Sequence, residues 1–195
     1  MVTRPGLNKD IIAKAAAELV DQVGIDRLTF AAVAERLGVR TPSLYNHLDG
    51  LDALRRELAL LGLSGLDRHL QRAALGKSGD AALTAMLQAY RVFAKEHPGV
   101  YEMTLKAPNP GDAEIQAAAE GIIDTLLTVL MPYHLDHAAA IHVVRGFRAI
   151  GHGFASLESA GGFGMDIDID ESYARLIDAF LSGLKGIHAA VPDEG

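Results

Sequence analysis

The chain has 195 residues, 49% of them apolar, no cysteine and a formal net charge of -7. That much apolar material excludes a disordered polymer, and the lack of cysteine excludes a disulfide framework and a thiolate zinc site. The charge is uneven: residues 1–99 carry 13 Lys/Arg against 11 Asp/Glu, residues 100–195 carry 5 against 14, so only the first half is suited to meet a polyanion, whose contacts depend on local charge. No apolar run is expected to reach the roughly 18 residues of a membrane span. The opening Met1–Gly6 lacks the basic and hydrophobic blocks of a secretory leader, and the expected location is the cytoplasm.

Helical spacing of Ile12, Ala16, Leu19, Val20 and Val23 predicts a first helix from Asn8, a good N-cap, to a stop at Gly24. Thr29 caps a second, Phe30 to Leu37, which turns inward Phe30, Val33, Ala34 and Leu37 and ends at Gly38. A third starts at Thr41-Pro42, with Thr41 as its expected cap and Pro42 where a missing N–H costs nothing, and carries Leu44 and Leu48 inward. Such short helices do not stand alone; packed on the first, they make a trihelical unit of residues 1–50. Longer helices are expected over 51–75, from 81 to the stop at His97-Pro98-Gly99, over Tyr101–Lys106, from about 112 to Met131-Pro132, over 135–159 and over 171–188. With no period-2 run and no internal repeat, the chain reads as all-α: a trihelical helix-turn-helix DNA-binding domain, 1–50, and a larger helical bundle for ligand binding and dimerisation, 51–195.

The function is read from residues 29–48. Ala34 and Gly38 lie four apart, the first letting the next helix approach and the second permitting the left-handed turn that swings it out. A helix seated in a major groove offers its N-terminal side chains to base edges. Arg40 can fork onto guanine and Asn46 can pair with adenine; Thr41, Ser43 and Tyr45 suit base or phosphate contacts, and Thr29 marks a helix N-terminus that favours phosphate. The set expected to face DNA is Arg4, Thr29, Arg40, Thr41, Pro42, Ser43, Tyr45, Asn46 and His47.

The run Leu28-Thr-Phe-Ala-Ala-Val-Ala-Glu-Arg-Leu-Gly-Val-Arg-Thr-Pro-Ser-Leu-Tyr-Asn-His-Leu48 closely resembles the DNA-binding domain of TetR/AcrR-like regulators. Leu51 stands where that family often carries a phosphate-gripping lysine, a loss for which Arg4, reaching into the minor groove, is expected to compensate. Farther on, Ile150-Gly-His-Gly-Phe-Ala-Ser-Leu-Glu158, Gly161-Gly-Phe-Gly164 and Asp170-Glu-Ser-Tyr173 are similar to the Trp-His-Gly type of C-terminal domain in one branch of these regulators, with Gly151 in place of the Trp. The resemblance implies a homodimer paired through residues 135–159 and 171–188, a palindromic double-stranded operator, and a small-molecule effector. For the effector the candidate lining is Tyr90, Phe93, Met103, Leu126, Phe147 and Phe154, with His142, Arg145 or His152 as polar anchors.

Gly62 and Gly65 interrupt the fourth helix, and a close helix contact is expected there rather than a hinge. Asp166–Glu171 resembles the start of a calcium loop but lacks its sixth-position Gly and twelfth-position Glu; acids ahead of a helix complement its dipole. His134, His137 and His142 lack a second ligand cluster, and neither a cofactor, a metal nor a catalytic motif is expected. Two other readings fit the residues: a dimeric DNA-binding protein without effector, and a helical ligand-binding protein or enzyme with a vestigial helix-turn-helix.

Overall fold

The computed structural model describes residues 6–106, 109 and 111–188. Every regular element among them is helical: α1 (Lys9–Val23), α2 (Phe30–Leu37), α3 (Thr41–Tyr45), α4 (Leu51–Ala74), α5 (Gly79–Glu96), α6 (Pro98–Glu102), α7 (Ala113–Leu130), α8 (His137–Ser159) and α9 (Ile169–His188), with short 3-10 turns at Ile25–Arg27 and Met131–Tyr133. The chain packs as two compact units, Met1–Gly65 with Glu96–Ala119, and Leu66–Lys95 with Glu120–Gly195. Packing therefore joins the first half of α4, α6 and the start of α7 to the three N-terminal helices.

The first unit begins as the caps dictate. Asn8 Oδ1 accepts the Ile11 amide at 2.9 Å and Thr29 Oγ1 the Ala32 amide at 3.1 Å, each satisfying an N-terminal donor that the helix cannot pair internally. Gly38 ends α2 at φ 65°, a left-handed conformation that a side chain resists. Ile12, Val20, Val33, Leu44, Leu54 and Leu58 are almost wholly buried and form the core. Arg36 braces α2 against α1 through Glu18 at 2.7 Å and Gln22 at 3.0 Å.

Two expected boundaries change. Thr41 is not the cap of α3: Arg40 holds that position, with no side-chain cap bond, and Thr41 is already helical. The short helix expected over Tyr101–Lys106 runs instead from Pro98 to Glu102. His97-Pro98-Gly99 both stops α5 and starts α6, because proline's fixed φ and missing N–H suit a first helical turn, and Asp21 of α1 accepts the Val100 amide at 2.9 Å while meeting His97 Nδ1 at 3.0 Å.

Two glycines let this short helix seat itself. A β-carbon on Gly99 would stand 2.3 Å from the Val20 carbonyl oxygen of α1, and one on Gly62 of α4 would stand 2.8 Å from the Val100 oxygen and 2.6 Å from Thr104 Cγ2. Gly62 thus marks the close helix contact expected of it. Gly65 is buried as well.

In the second unit Leu70, Leu83, Met86, Leu87, Phe147 and Ile177 are almost wholly buried. Asp136 caps α8 by accepting the Ala139 amide at 2.8 Å, and Asp168 accepts the Asp170 and Glu171 amides at 2.7 and 3.1 Å, so α9 starts two residues earlier than expected. The acids of 166–171 act as a helix start. Ala113–Tyr133 is, by length and composition alone, apolar enough to cross a membrane, contrary to expectation; Glu120 and Asp124 are exposed on it, and charge within a span is costly.

Gly99→Ala and Gly62→Ala should each destabilise the chain by about 1–3 kcal/mol through overpacking. Gly121→Ala, whose β-carbon meets Asp67 at an ordinary 3.5 Å, should instead stabilise it by up to ~1 kcal/mol through helix propensity. Urea denaturation of the three variants checks both signs.

Candidate nucleic-acid interface

α3 is five residues long, and its one fully buried side chain, Leu44, anchors it in the core of the first unit. The N-terminal groups are left outward: Arg40, Pro42 and Ser43 are at most half-buried, as is Thr41, and Tyr45 is 58% exposed. Asn46 is the C-cap and His47 follows it in a turn, so both lie past the helix rather than on it, and both are exposed. Thr29 is exposed but occupied by its cap bond. Arg4 lies outside the described residues.

Phe30, the first residue of α2, does more than fill the core. It packs against Tyr45 with ring centroids 4.7 Å apart and planes tilted by 58°, and so limits where the exposed phenol can point. The signal was present in the sequence as an aromatic directly after a capping threonine. Its partner fifteen residues on became visible only when α2 and α3 were brought together.

Leu51, the first residue of α4, is half-buried and packs against the same core, offering no charge there. On the far side of α4, Arg56 pairs with Asp112 at 2.5 Å and Glu114 at 2.8 Å, which favours its charged form and holds the Asp112 carboxyl below its ordinary range.

A buried anchor, two capped helices and an exposed polar N-terminal turn on the third are the parts of a helix-turn-helix, and the comparisons with known proteins agree. Residues 12–58 match the model of the bacterial regulatory proteins of the tetR family, and residues 83–180 match a tetracyclin repressor-like C-terminal domain. An uncharacterised helix-turn-helix-type transcriptional regulator of Bacillus subtilis, YobS, is 39% identical over 94% of this chain and 96% of its own. The chain belongs to the TetR family. A second such regulator, from Mycobacterium tuberculosis, is 35% identical over 94% of this chain and 85% of its own. The crystal structure of a TetR variant from Acinetobacter baumannii in complex with minocycline shares the fold, with a TM-score of 0.72 at 20% identity over 93% of this chain and 98% of that one. The protein is thus a DNA-binding transcriptional regulator.

As a TetR-family regulator it carries its candidate effector residues mostly in the second unit. Tyr90, Phe93, Leu126, Phe147 and Phe154 are all buried, with Tyr90 edge-on to Phe147 at 6.1 Å. Met103 belongs to the first unit, where it packs against the core. His142 and Arg145 are exposed on α8, and His152 is half-buried. Gly151 has a packing reason to be glycine: a β-carbon there would stand 2.8 Å from the Tyr90 ring, so a side chain at this position requires that ring to move.

The sequence reading missed Arg91. Its guanidinium lies over the rings of Phe154 and Tyr173, 5.3 and 5.2 Å from their centroids, and bonds Glu158 at 2.6 and 2.8 Å and Asp170 at 2.7 Å. Lys95 adds a bond to Glu158 at 2.7 Å. The clamp ties α5 to the end of α8 and the start of α9, and the Tyr173 hydroxyl, pushed up by burial, donates to the Leu87 carbonyl at 2.7 Å. Nothing in the pattern around residue 91 points to partners 67 and 79 positions away.

The Arg91 bonds hold the Glu158 carboxyl down at about 2, against an ordinary 4.5. A depressed folded-state pKa contributes stability above the unfolded value and loses it as pH falls through the folded one. The chain should therefore lose stability between pH 4.5 and 2. Arg91→Met, which removes the cause, should flatten that part of the profile and lower the plateau above it; thermal melts across the range check this.

Proposed function

We propose that the protein is a homodimeric repressor that binds a palindromic operator in double-stranded DNA and is released by a small molecule. The observation that carries this reading is the N-terminal face of α3, projecting Arg40, Thr41, Pro42 and Ser43 from a helix pinned by a fully buried Leu44. In the major groove this face meets base edges, with Tyr45, held against Phe30, on the phosphate side and Asn46 and His47 following at the helix end. Thr29, at the start of α2, faces a flanking phosphate, and Arg4 is assigned to the minor groove. The boundary at residue 50 divides the base-reading helices before it from the α4 flank and the regulatory helices after it.

Two copies place two such faces about 34–36 Å apart, the spacing of successive major grooves. Pairing through 135–159 and 171–188 is supported by exposed Ala149 on α8 and exposed Leu176, Ala179 and Gly183 on α9, with nothing within 4 Å of where a Gly153 or Gly183 β-carbon would be. Small residues permit the close approach that two-fold helix packing needs.

The effector site draws on Tyr90, Phe93, Leu126, Phe147 and Phe154, with His152 as its polar anchor. Support comes from the shared fold, which in the Acinetobacter protein accompanies a complex with minocycline. The chain crosses between its two packing units at 65/66, 95/96 and 119/120, and each crossing falls inside a helix, α4, α5 or α7. A ligand that favours one arrangement of the distal helices shifts the population able to place both recognition faces. The regulator does no catalysis, needs no cofactor and works where the DNA is, in the cytoplasm.

Electrophoretic shift of the DNA flanking the protein's own gene tests the reading. Arg40→Ala should weaken binding by about 1–3 kcal/mol if it forks onto a base, and Tyr45→Phe by less. A wild-type chain without affinity for that DNA overturns it. Leu176→Arg should convert the dimer to a monomer in sedimentation and abolish cooperative operator binding; an unchanged dimer would place the pairing surface elsewhere.

A further inference from the structure

Three cations of the first unit are committed to internal partners. Lys9 is held by Glu57 at 2.7 Å, Arg36 by Glu18 at 2.7 Å, and Arg56 by Asp112 and Glu114. Those three have less charge to lend to a phosphate backbone, and the question is which of the other cations near α3 lends it. Arg40 makes no ion pair among the described residues and already belongs to the face of α3. Arg55 is the next to consider.

Arg55 lies in the second turn of α4, the helix that follows the recognition turn after only Asn46–Gly50. It sits four residues beyond Leu51 and therefore on the same stripe, about 6 Å farther along the axis. Its side chain is 47% exposed, and its ion pair is a single 3.2 Å bond to Asp52, whose own side chain is 97% exposed. An exposed pair three residues apart on a helix contributes little and is screened by salt. It contrasts with Arg56 beside it, which makes short bonds to two carboxylates from another element.

A helix in the major groove is flanked by two sugar–phosphate strands, and the elements before and after it in the chain meet them. On the α2 side, the capped start of the helix offers amide dipoles. On the α4 side, Leu51 offers none of the charge and Asp49 and Asp52 are exposed carboxylates that repel the strand. We propose that Arg55 is the phosphate-binding cation of the α4 flank, and that Asp52 holds it in the free protein and surrenders it to the phosphate on binding. The pair is thus an exchange: one weak intramolecular bond is given up for one charge-assisted bond to DNA, while the freed Asp52 remains as a local repulsion that lowers affinity for any duplex. This inference rests on the DNA-binding reading of α3 and adds a residue to it.

The test uses the full chain and a 30-base-pair duplex of arbitrary sequence, with dissociation constants measured by fluorescence anisotropy from 50 to 200 mM NaCl. A phosphate contact is sequence-independent, so the operator need not be known. Arg55→Ala should weaken binding about fivefold at the lowest salt and reduce the slope of log K against log salt by about one per bound protomer. Arg55→Lys should keep the slope. Asp52→Asn should tighten binding by about two- to fivefold, and that gain should shrink in the Arg55→Ala background, where there is no longer a pair to break. Arg72→Ala, which removes an exposed charge from the second unit, controls for the general loss of a cation and should change nothing. If Arg55→Ala leaves affinity and slope unchanged while Arg40→Ala weakens binding, this proposal falls and the role of α3 stands; if the wild-type chain has no salt-dependent affinity for duplex, both fall.

Discussion

The seat of α6 is the constraint on which the DNA-binding half depends. A five-residue helix has too few internal bonds to persist alone, and here it is held from both sides by backbone. Gly99 lies against the carbonyl of Val20 in α1, Gly62 of α4 lies against the carbonyl of Val100, and Asp21 closes the first turn by accepting the Val100 amide. Val100 then joins Ile12, Leu44, Leu54 and Leu58 in a single core. The recognition helix, anchored by Leu44, therefore sits on a platform that includes a segment almost sixty residues downstream in the chain. A trihelical unit drawn from residues 1–50 alone would leave that part of its core open.

This arrangement also shows why the early helices were legible and the sixth was not. Asn8, Thr29 and Gly38 act on neighbours three to five residues away, so their chemistry can be read along the chain, and each does in the structure what its type predicts. The start of α6 depends on Pro98, which is local, and on Asp21, which is 79 residues from the amide that it accepts. Read locally, His97-Pro98-Gly99 is only a stop. Gly62 was legible as an anomaly, since a glycine inside a helix needs a reason, yet the atoms that supply the reason belong to residues 100 and 104.

The same distinction separates the two parts of the candidate site. The α3 face follows from a short segment with a turn glycine, a proline at the first helical turn and buried leucines four residues apart, and it lies together in space as it does in sequence. The distal residues come from α5, α7 and α8, and periodicity told only that they point inward. It could not tell that Met103 packs in a different core, or that His142 and Arg145 stand on the outer face of α8. Nor could it find Arg91, because a guanidinium between two rings and two carboxylates needs four partners, Phe154 and Glu158 from α8 and Asp170 and Tyr173 from α9.

Charge supplies the last step. The chain total of -7 would argue against a nucleic-acid partner, and even the first half carries only a slight excess of cations. The structure sharpens the point, because three of those cations are engaged: Lys9, Arg36 and Arg56 do architectural work between helices. On the proposed reading, the exposed side chains at the start of α3 and on the adjoining turn of α4 are what remains for DNA. A protein with few committed phosphate contacts gains proportionally more from each correct base contact, since non-specific binding rises with the number of phosphates neutralised. Low basicity is in that sense compatible with a selective reader, and in the proposed dimer, dependence on presenting two recognition faces together would let a change in the distal helices control binding.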